Sequence, residues 1–330
     1  MPRTFEDAPA VLGKTPLLIG LTGYSGSGKT YSALRLATGI QRVRGGDIYG
    51  IDTEGGRMRQ YADRFKFRHV PFMPPHGPQD YLAAIEHCVS KRAKIIVVDS
   101  MSHEHEGEGG VLEQSERYLD QKCGDDWKKR QAYQQLSWQA PKAARKQLNR
   151  RVVSQLTDIT FVFCYRGQEK VKMVKGEEPI QLGTQAITTS NLVYDMTVRF
   201  LLRPGADGVP APKAETPAEA MMMKQIETFR GWQELKVQLS EDLGEKLAKW
   251  AEGGPGISAT PSSILPRFNA AYGPRAGEPL SEATLTEVAD YIAWLEDKKR
   301  AGAKPEALAA IDRAIEVAGS FLPMEEEDHP

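Results

Sequence analysis

Apolar residues in this chain fall in short runs broken by polar, glycine-containing turns, and the spacing changes from run to run. Leu17, Leu18, Ile19 and Leu21 form a compact apolar run that predicts a buried strand. After a glycine-rich turn, Ala33, Leu34, Ala37 and Ile40 recur at helical spacing. Asp47 to Asp52 predicts a second short strand ending in the polar loop Thr53-Glu54-Gly55-Gly56, and Phe67 to Phe72 a third. Pro78 is placed to start a helix whose apolar face holds Tyr81, Leu82, Ile85 and Val89. Ile95 to Val98 are four β-branched residues in a row, the mark of a central strand covered on both faces, and Asp99 closes it. Val111 to Gln121 reads as a helix, and Pro141 starts another. Asp158 to Tyr165 reads as a buried strand, Lys170 to Thr184 as a hairpin or a mobile loop turning at Lys175-Gly176, and Asn191 to Leu202 as one more strand at an edge. Strands alternating with helices predict an α/β fold around a mostly parallel sheet.

The character changes near residue 203. Arg203 to Pro217 is rich in proline, alanine and glycine, which places a linker at 203–219 between a core at 1–202 and a helical region at 220–330. In that region Ser240 is a candidate N-cap ahead of Leu243, Leu247 and Trp250. Ser281 is a candidate cap for a helix carrying Leu285, Val288, Ile292 and Leu295. A last helix carries Leu308, Ile311, Ile315 and Phe321, before the acidic tail Glu325 to Asp328. These stripes read as packing faces.

Composition narrows the class. The 330 residues are 40% hydrophobic and 26% charged, ordinary values for a soluble globular protein. No apolar run nears the ~20 residues that span a bilayer, and no secretory leader is evident, so a cytoplasmic protein without membrane contact is expected. Cys88, Cys123 and Cys164 have no metal-like or framework spacing and read as free thiols. A net charge of −1 means that any nucleic-acid contact must come from a local patch. One stretch qualifies: Trp127 to Thr157 contains no acid but holds Lys128, Lys129, Arg130, Lys142, Arg145, Lys146, Arg150 and Arg151, with Tyr133 and Trp138 among them. Two readings stand, a solvated helical face and a surface for a phosphate backbone or an acidic neighbouring subunit.

The strongest chemical signal is the turn after the first strand, Gly23-Tyr24-Ser25-Gly26-Ser27-Gly28-Lys29-Thr30, which fits G-x-x-x-x-G-K-[ST]. Glycines let a backbone turn its N–H groups around a phosphate, and the following helix points its positive end at the same place. Lys29 is then placed for the outer phosphates and the Thr30 hydroxyl for Mg²⁺. Asp99 supplies the carboxylate that such a site needs near the ion. The loop Met101-Ser-His-Glu-His-Glu-Gly-Glu-Gly-Gly110 is rich in potential ligands. Its H-E-x-H spacing, however, is not the H-E-x-x-H of a zinc helix, so it reads as a polar loop bordering the nucleotide or a partner.

Taken in this order, the residues resemble the RecA-like P-loop ATPase core over roughly 15–202. The run GYSGSGKT, IDTEGGR, VVDSMSHEHEGEGG is closest in appearance to phage-encoded, RecA-related ATPases of recombination and single-strand annealing modules. The resemblance implies ATP and Mg²⁺ as cofactors, with Glu54 of Asp52-Thr53-Glu54 as the catalytic base and Tyr61 against the adenine. It further implies a polar sensor near Tyr165, Arg166 and Gln168 that couples hydrolysis to a DNA-facing hairpin. The chain departs from RecA itself in lacking the Asn-Gln pair at that sensor.

The function expected on this resemblance is ATP hydrolysis coupled to single-stranded DNA, in a homo-oligomer, with a single-strand-binding protein as a further partner. The compartment is the host cytoplasm if the chain is phage-encoded. Lys29, Glu54 and Arg166 are the catalytic candidates, and Thr30 and Asp99 the metal candidates. The basic residues of 128–151 with Lys170, Lys172 and Lys175 are the DNA candidates. The alternatives are a nucleotide-dependent assembly or loading factor with little DNA affinity and, third, a small-molecule kinase.

Overall fold

Strand β1 (Leu18–Gly23) is buried along its whole length, as are β2 (Ile48–Asp52), β4 (Ile95–Asp99) and β7 (Val198–Leu202). Runs of apolar residues without polar alternation can be satisfied only inside a sheet covered on both faces. The computed structural model describes residues 14–172, 180–188, 191–224, 226, 237–254, 272, 284–301, 311, 314 and 315. It has a seven-stranded sheet in the order β3-β2-β4-β5-β1-β7, with β3 at Arg68–Pro71, β5 at Thr160–Lys172, and β6 (Ile180–Ala186) pairing with the outer part of β5. Every pairing is parallel except β5 with β6.

Alternate residues of the strands feed two cores. Leu18, Ile51, Ile96, Val98, Phe161 and Phe163 pack with Tyr81, Ile85 and Cys88 of helix α2 (Pro78–Ser90) and with Leu148 and Val152. Helix α1 (Lys29–Arg44) packs against β1, β2, β4 and β5, and its Ala33, Leu34, Leu36, Ala37 and Ile40 are fully buried. Between the strands run a one-turn α3 (His103–Glu106), then α4 (Val111–Cys123), α5 (Trp127–Ser137) and α6 (Gln139–Arg150). The hairpin at 170–184 is present as the β5–β6 pair, but its tip at 173–179, with Lys175, lies outside the described residues.

The structure corrects three readings. Asn191 to Leu202 is not one strand: Leu192–Asp195 forms a one-turn helix, α7, and only Val198–Leu202 joins the sheet, at its edge. Leu192, Val193 and Met196 are buried in the core, so the apolar run satisfies its burial without extending the strand. The cap of the helix Leu285–Arg300 is Thr284, which shares a reciprocal capping box with Glu287, and not Ser281, which lies outside the described residues. Phe67 and Phe72 flank β3 and are not part of it.

The stretch from 203 to 217 is held by specific bonds. Gly208 N–H donates to the Ser27 carbonyl (3.1 Å), Ala211 N–H to that of Leu201 (2.7 Å), and Arg203 pairs with Glu215 and with Glu219 at the start of a short α8 (Pro217–Met222). Helix α9 (Glu241–Ala251), capped by Ser240 as expected, lies along α1 in the same compact unit, residues 1–259. Two glycines allow the close approach. A Cβ on Gly39 would stand 1.8 Å from the Glu241 carbonyl oxygen, and one on Gly244 2.2 Å from that of Leu36. Arg35–Glu241 (2.8 Å) and Arg44–Glu252 (3.0 Å) flank the contact.

The second unit, residues 260–330, is described in part: α10 (Leu285–Arg300) buries Val288, Tyr291 and Leu295 against Tyr272, Ile311, Ala314 and Ile315. Leu308, Phe321 and the acidic tail lie outside the described residues. No described helix is long and apolar enough to cross a membrane.

Because the α1–α9 contact has no room for a methyl group, Gly244→Ala should lower the urea midpoint of the sheet unit by an amount equivalent to about 1–3 kcal/mol. Lys249→Ala on the solvent side of α9 should change it by no more than ~0.5 kcal/mol.

Candidate functional site

The carboxyl ends of the parallel strands bring the sequence candidates together. Asp52, Asp99, Cys164 and Leu21 occupy one row across β2, β4, β5 and β1, and β1 runs two residues further to Gly23, opposite Arg166. In open α/β sheets this is the edge at which ligands sit. From Gly23 the chain turns through Gly26 (φ 79°) and Gly28 (φ 89°), backbone conformations that side chains other than glycine rarely adopt. A Cβ at Gly28 would also stand 2.7 Å from the Gly208 nitrogen, so the 203–217 stretch forms one wall of the turn. The Tyr24 carbonyl inside the turn accepts the Ser27 hydroxyl (2.8 Å) and the Lys29 ammonium (2.7 Å). The first N–H groups of α1 have no acceptor within the helix, and no acidic residue occupies its first turn.

Thr30 and Asp99 meet across β5: the Thr30 hydroxyl donates to Asp99 Oδ2 at 2.5 Å. Asp99 is buried, and burial pushes its pKa up to about 6. The Thr30 hydrogen bond and Lys29 oppose that rise, while Glu54 and Asp52 add to it. Burial likewise lowers the pKa of Lys29, against the pull of Asp99 and Glu54. Two hard oxygens beside an ammonium and a helix N-terminus can hold an anion together with a hard divalent cation. The Asp99–Ser100 peptide is cis.

Glu54 stands on the loop that follows β2. Arg166 donates to its Oε1 through Nε (2.9 Å) and Nη2 (2.7 Å), and Arg57 lies 3.5 Å from the other oxygen. Asp52, two residues earlier, shapes this loop. Its carboxylate accepts the N–H groups of Glu54 (2.8 Å) and Met58 (3.0 Å) and faces His69 Nε2 at 2.9 Å. The signal for this role was in the sequence, since an aspartate that bonds the N–H two residues on is a standard turn former. Tyr61 ends the short 3-10 turn Arg57–Tyr61, half-buried, with its ring 5.7 Å from that of Tyr31, which in turn meets Phe65 at 5.3 Å. Burial raises the pKa of the Tyr61 phenol, and Asp99 adds to the rise.

The loop after β4 borders this cluster. Its Ser102 hydroxyl accepts the Arg166 N–H (2.9 Å), and His103 Nδ1 lies 2.7 Å from Thr53 Oγ1. Among the described residues no group of three or more His, Cys, Asp and Glu is arranged to hold a metal ion.

The basic stretch divides. Arg145, a DNA candidate on sequence, is buried: its Nε and Nη2 donate to Glu104 at 2.7 and 2.6 Å, so it braces α6 against the loop after β4. Arg130 is engaged by Asp120 and Glu116, and Arg151 by Glu86 (2.5 Å). The acids that pair with these arginines lie outside 127–157, which is why a window without acids overstated the free charge. Lys128, Lys129, Lys142, Lys146 and Arg150 are exposed. Lys170 and Lys172 are on the outer part of β5, away from this helical pair in the chain.

No protein-family model matches the chain, and no curated protein sequence matches it.

The raised pKa of Asp99 sets a pH dependence. Between its unfolded value near 3.8 and about 6 the folded state binds more protons than the unfolded state, so this group makes stability fall as pH rises through that window. With no divalent cation added, Asp99→Asn keeps an acceptor for Thr30 and should be the more stable protein at pH 7.5. The advantage, up to roughly 3 kcal/mol, should shrink toward pH 4 in paired urea titrations.

Proposed function

We propose that this chain is a RecA-like P-loop ATPase that acts on single-stranded DNA. The observation that carries the reading is the meeting of Thr30 and Asp99 at 2.5 Å, beside Lys29, at the carboxyl ends of a parallel sheet. The two residues come from α1 and β4, and such convergence of a glycine-rich turn, a helix N-terminus and a strand-end carboxylate suits a triphosphate with its metal.

The turn from Gly23 to Gly28 and the N-terminus of α1 hold the phosphates through backbone N–H groups. Lys29 exchanges the Tyr24 carbonyl for phosphate oxygens. Thr30 and Asp99 are the residues that would hold Mg²⁺, which supplies neutralising charge on the phosphate oxygens. Glu54 accepts the proton of the water that attacks the terminal phosphorus, and the bond to ADP breaks. Arg166 fixes where the Glu54 carboxylate stands, and because it is the last parallel residue of β5 before the β5–β6 pairing begins, it ties that carboxylate to the part of the strand that carries Lys170 and Lys172. Positioned charge of this kind accounts for most of the acceleration in phosphoryl transfer. Tyr61, Tyr31 and Phe65 offer an aromatic surface for the base.

Lys128, Lys142, Lys146 and Arg150, exposed on α5 and α6, are the DNA candidates outside the ion pairs seen among the described residues, whereas Lys129 lies 3.7 Å from Asp126. A second reading, a nucleotide-dependent assembly or loading factor, is favoured by one observation: Arg130, Arg145 and Arg151 are already taken by acids.

ATP hydrolysis measured with and without single-stranded DNA at two salt concentrations separates the two. The first reading predicts stimulation that weakens as salt rises, since each phosphate contact releases counterions. Hydrolysis without stimulation or DNA binding supports the second. Lys29→Ala should cut hydrolysis by at least ~100-fold in either case, and normal turnover by that variant removes the site assignment altogether. Replacing Lys142 and Lys146 together should weaken DNA binding and flatten its salt dependence while leaving DNA-independent turnover intact.

A further inference from the structure

We infer that His103 is a positioning residue for Glu54 and acts through the hydroxyl of Thr53. The inference rests on the reading of Glu54 as the group that takes the proton from water. Thr53 is the residue before Glu54, and three bonds fix it to the chain after β4. Its N–H donates to the Asp99 carbonyl (2.9 Å), its Oγ1 accepts the Ser100 N–H (2.8 Å), and the same Oγ1 lies 2.7 Å from His103 Nδ1.

A hydroxyl has one hydrogen to give. His103 Nδ1 at 2.7 Å and the Ser100 carbonyl at 3.2 Å both lie in reach of the Thr53 hydroxyl, and that carbonyl already accepts the Tyr81 hydroxyl at 2.6 Å. The shorter contact assigns the hydrogen to His103. His103 then has a bare Nδ1 and its own proton on Nε2. Burial, and after it the Arg166 guanidinium, pushes its pKa down to about 4, which keeps the ring neutral at pH 7.

The ring is itself held in place. It stacks on His76 with centroids 5.3 Å apart and planes 23° from parallel, and His76 Nε2 lies 3.2 Å from the Phe72 carbonyl. Phe72 N–H in turn bonds the carbonyl of Asp52, the residue whose carboxylate organises the Glu54 loop. On the other side, the neighbouring Glu104 is locked to buried Arg145. His103 therefore joins the loop after β4 to the loop after β2 at the residue beside Glu54. An H-E-x-H spacing suggestive of a metal ligand is used here as a strut.

The test is steady-state ATP hydrolysis by the full chain, with nucleotide affinity measured separately by a fluorescent ATP analogue. The variants are His103→Ala, His103→Asn, Thr53→Val, the double variant His103→Ala/Thr53→Val, and Glu54→Gln. His103→Ala should lower kcat by about 10-fold or more, because loss of alignment acts on the chemical step. KM and nucleotide affinity should stay within about 2-fold. His103→Asn, whose side-chain oxygen can accept the Thr53 hydrogen, should recover most of the loss. On the Thr53→Val background, His103→Ala should cost little more. A His103→Ala enzyme with wild-type kcat overturns the inference, as does an equal loss on the Thr53→Val background or a loss that follows nucleotide affinity. If Glu54→Gln retains normal turnover, the reading of Glu54 fails and the inference fails with it. An inactive Glu54→Gln beside a normal His103→Ala defeats the inference alone.

Discussion

A carboxylate at the end of a central strand has lost most of its water, and the protein must replace what it lost. Asp99 is in that position, and the replacement is one hydroxyl, from Thr30, together with the more distant Lys29 ammonium. This pairing dictates much of the local architecture. Thr30 reaches Asp99 only if α1 starts where it does, which requires a tight left-handed turn at Gly28, and that turn leaves room for no side chain against Gly208. The pair is only partly compensated, since burial leaves the pKa of Asp99 near 6. A buried acid short of partners costs stability that a bound cation would return, and that is the physical ground for the proposed site.

The rest of the sheet edge is arranged around this incomplete cluster. Asp52 spends its oxygens on backbone N–H groups and so holds the Glu54 loop, while Glu54 keeps its carboxylate toward Arg166. Two aspartates in the same row of the sheet thus do different work because one meets donors from its own loop and the other meets a hydroxyl from a helix. The 203–217 stretch and α9 complete the arrangement from the far side of α1, where two glycines allow backbone to meet backbone. The position of the turn from Gly23 to Gly28 therefore depends on residues more than 150 positions away in the chain.

What the sequence made legible was local. β1, α1, β2, β4 and the turn between Gly23 and Thr30 carry short-range patterns, apolar runs and glycines at fixed offsets, whose physics needs no distant partner. Asn191 to Leu202 misled because a buried turn of helix and a buried strand use the same apolar residues, and only the sheet edge decides between them. Proline and glycine content marks a chain that turns tightly as well as one that is loose; the 203–217 stretch is hydrogen-bonded to the turn from Gly23 to Gly28. Arg145 and Thr53 were opaque for another reason. Their partners, Glu104 and His103, lie 41 and 50 residues away, and nothing in either neighbourhood announces the pairing.

On the proposed function, the turn after β1 and the loop after β2 hold one ligand between them. Amide hydrogen exchange with and without Mg²⁺ and a non-hydrolysable ATP analogue tests it most directly. Exchange should slow at 24–31 and at 52–58 together, while the edge strand β3 is unchanged. Exchange unaltered in both segments at saturating nucleotide, or slowed only at residues away from this edge of the sheet, would contradict it.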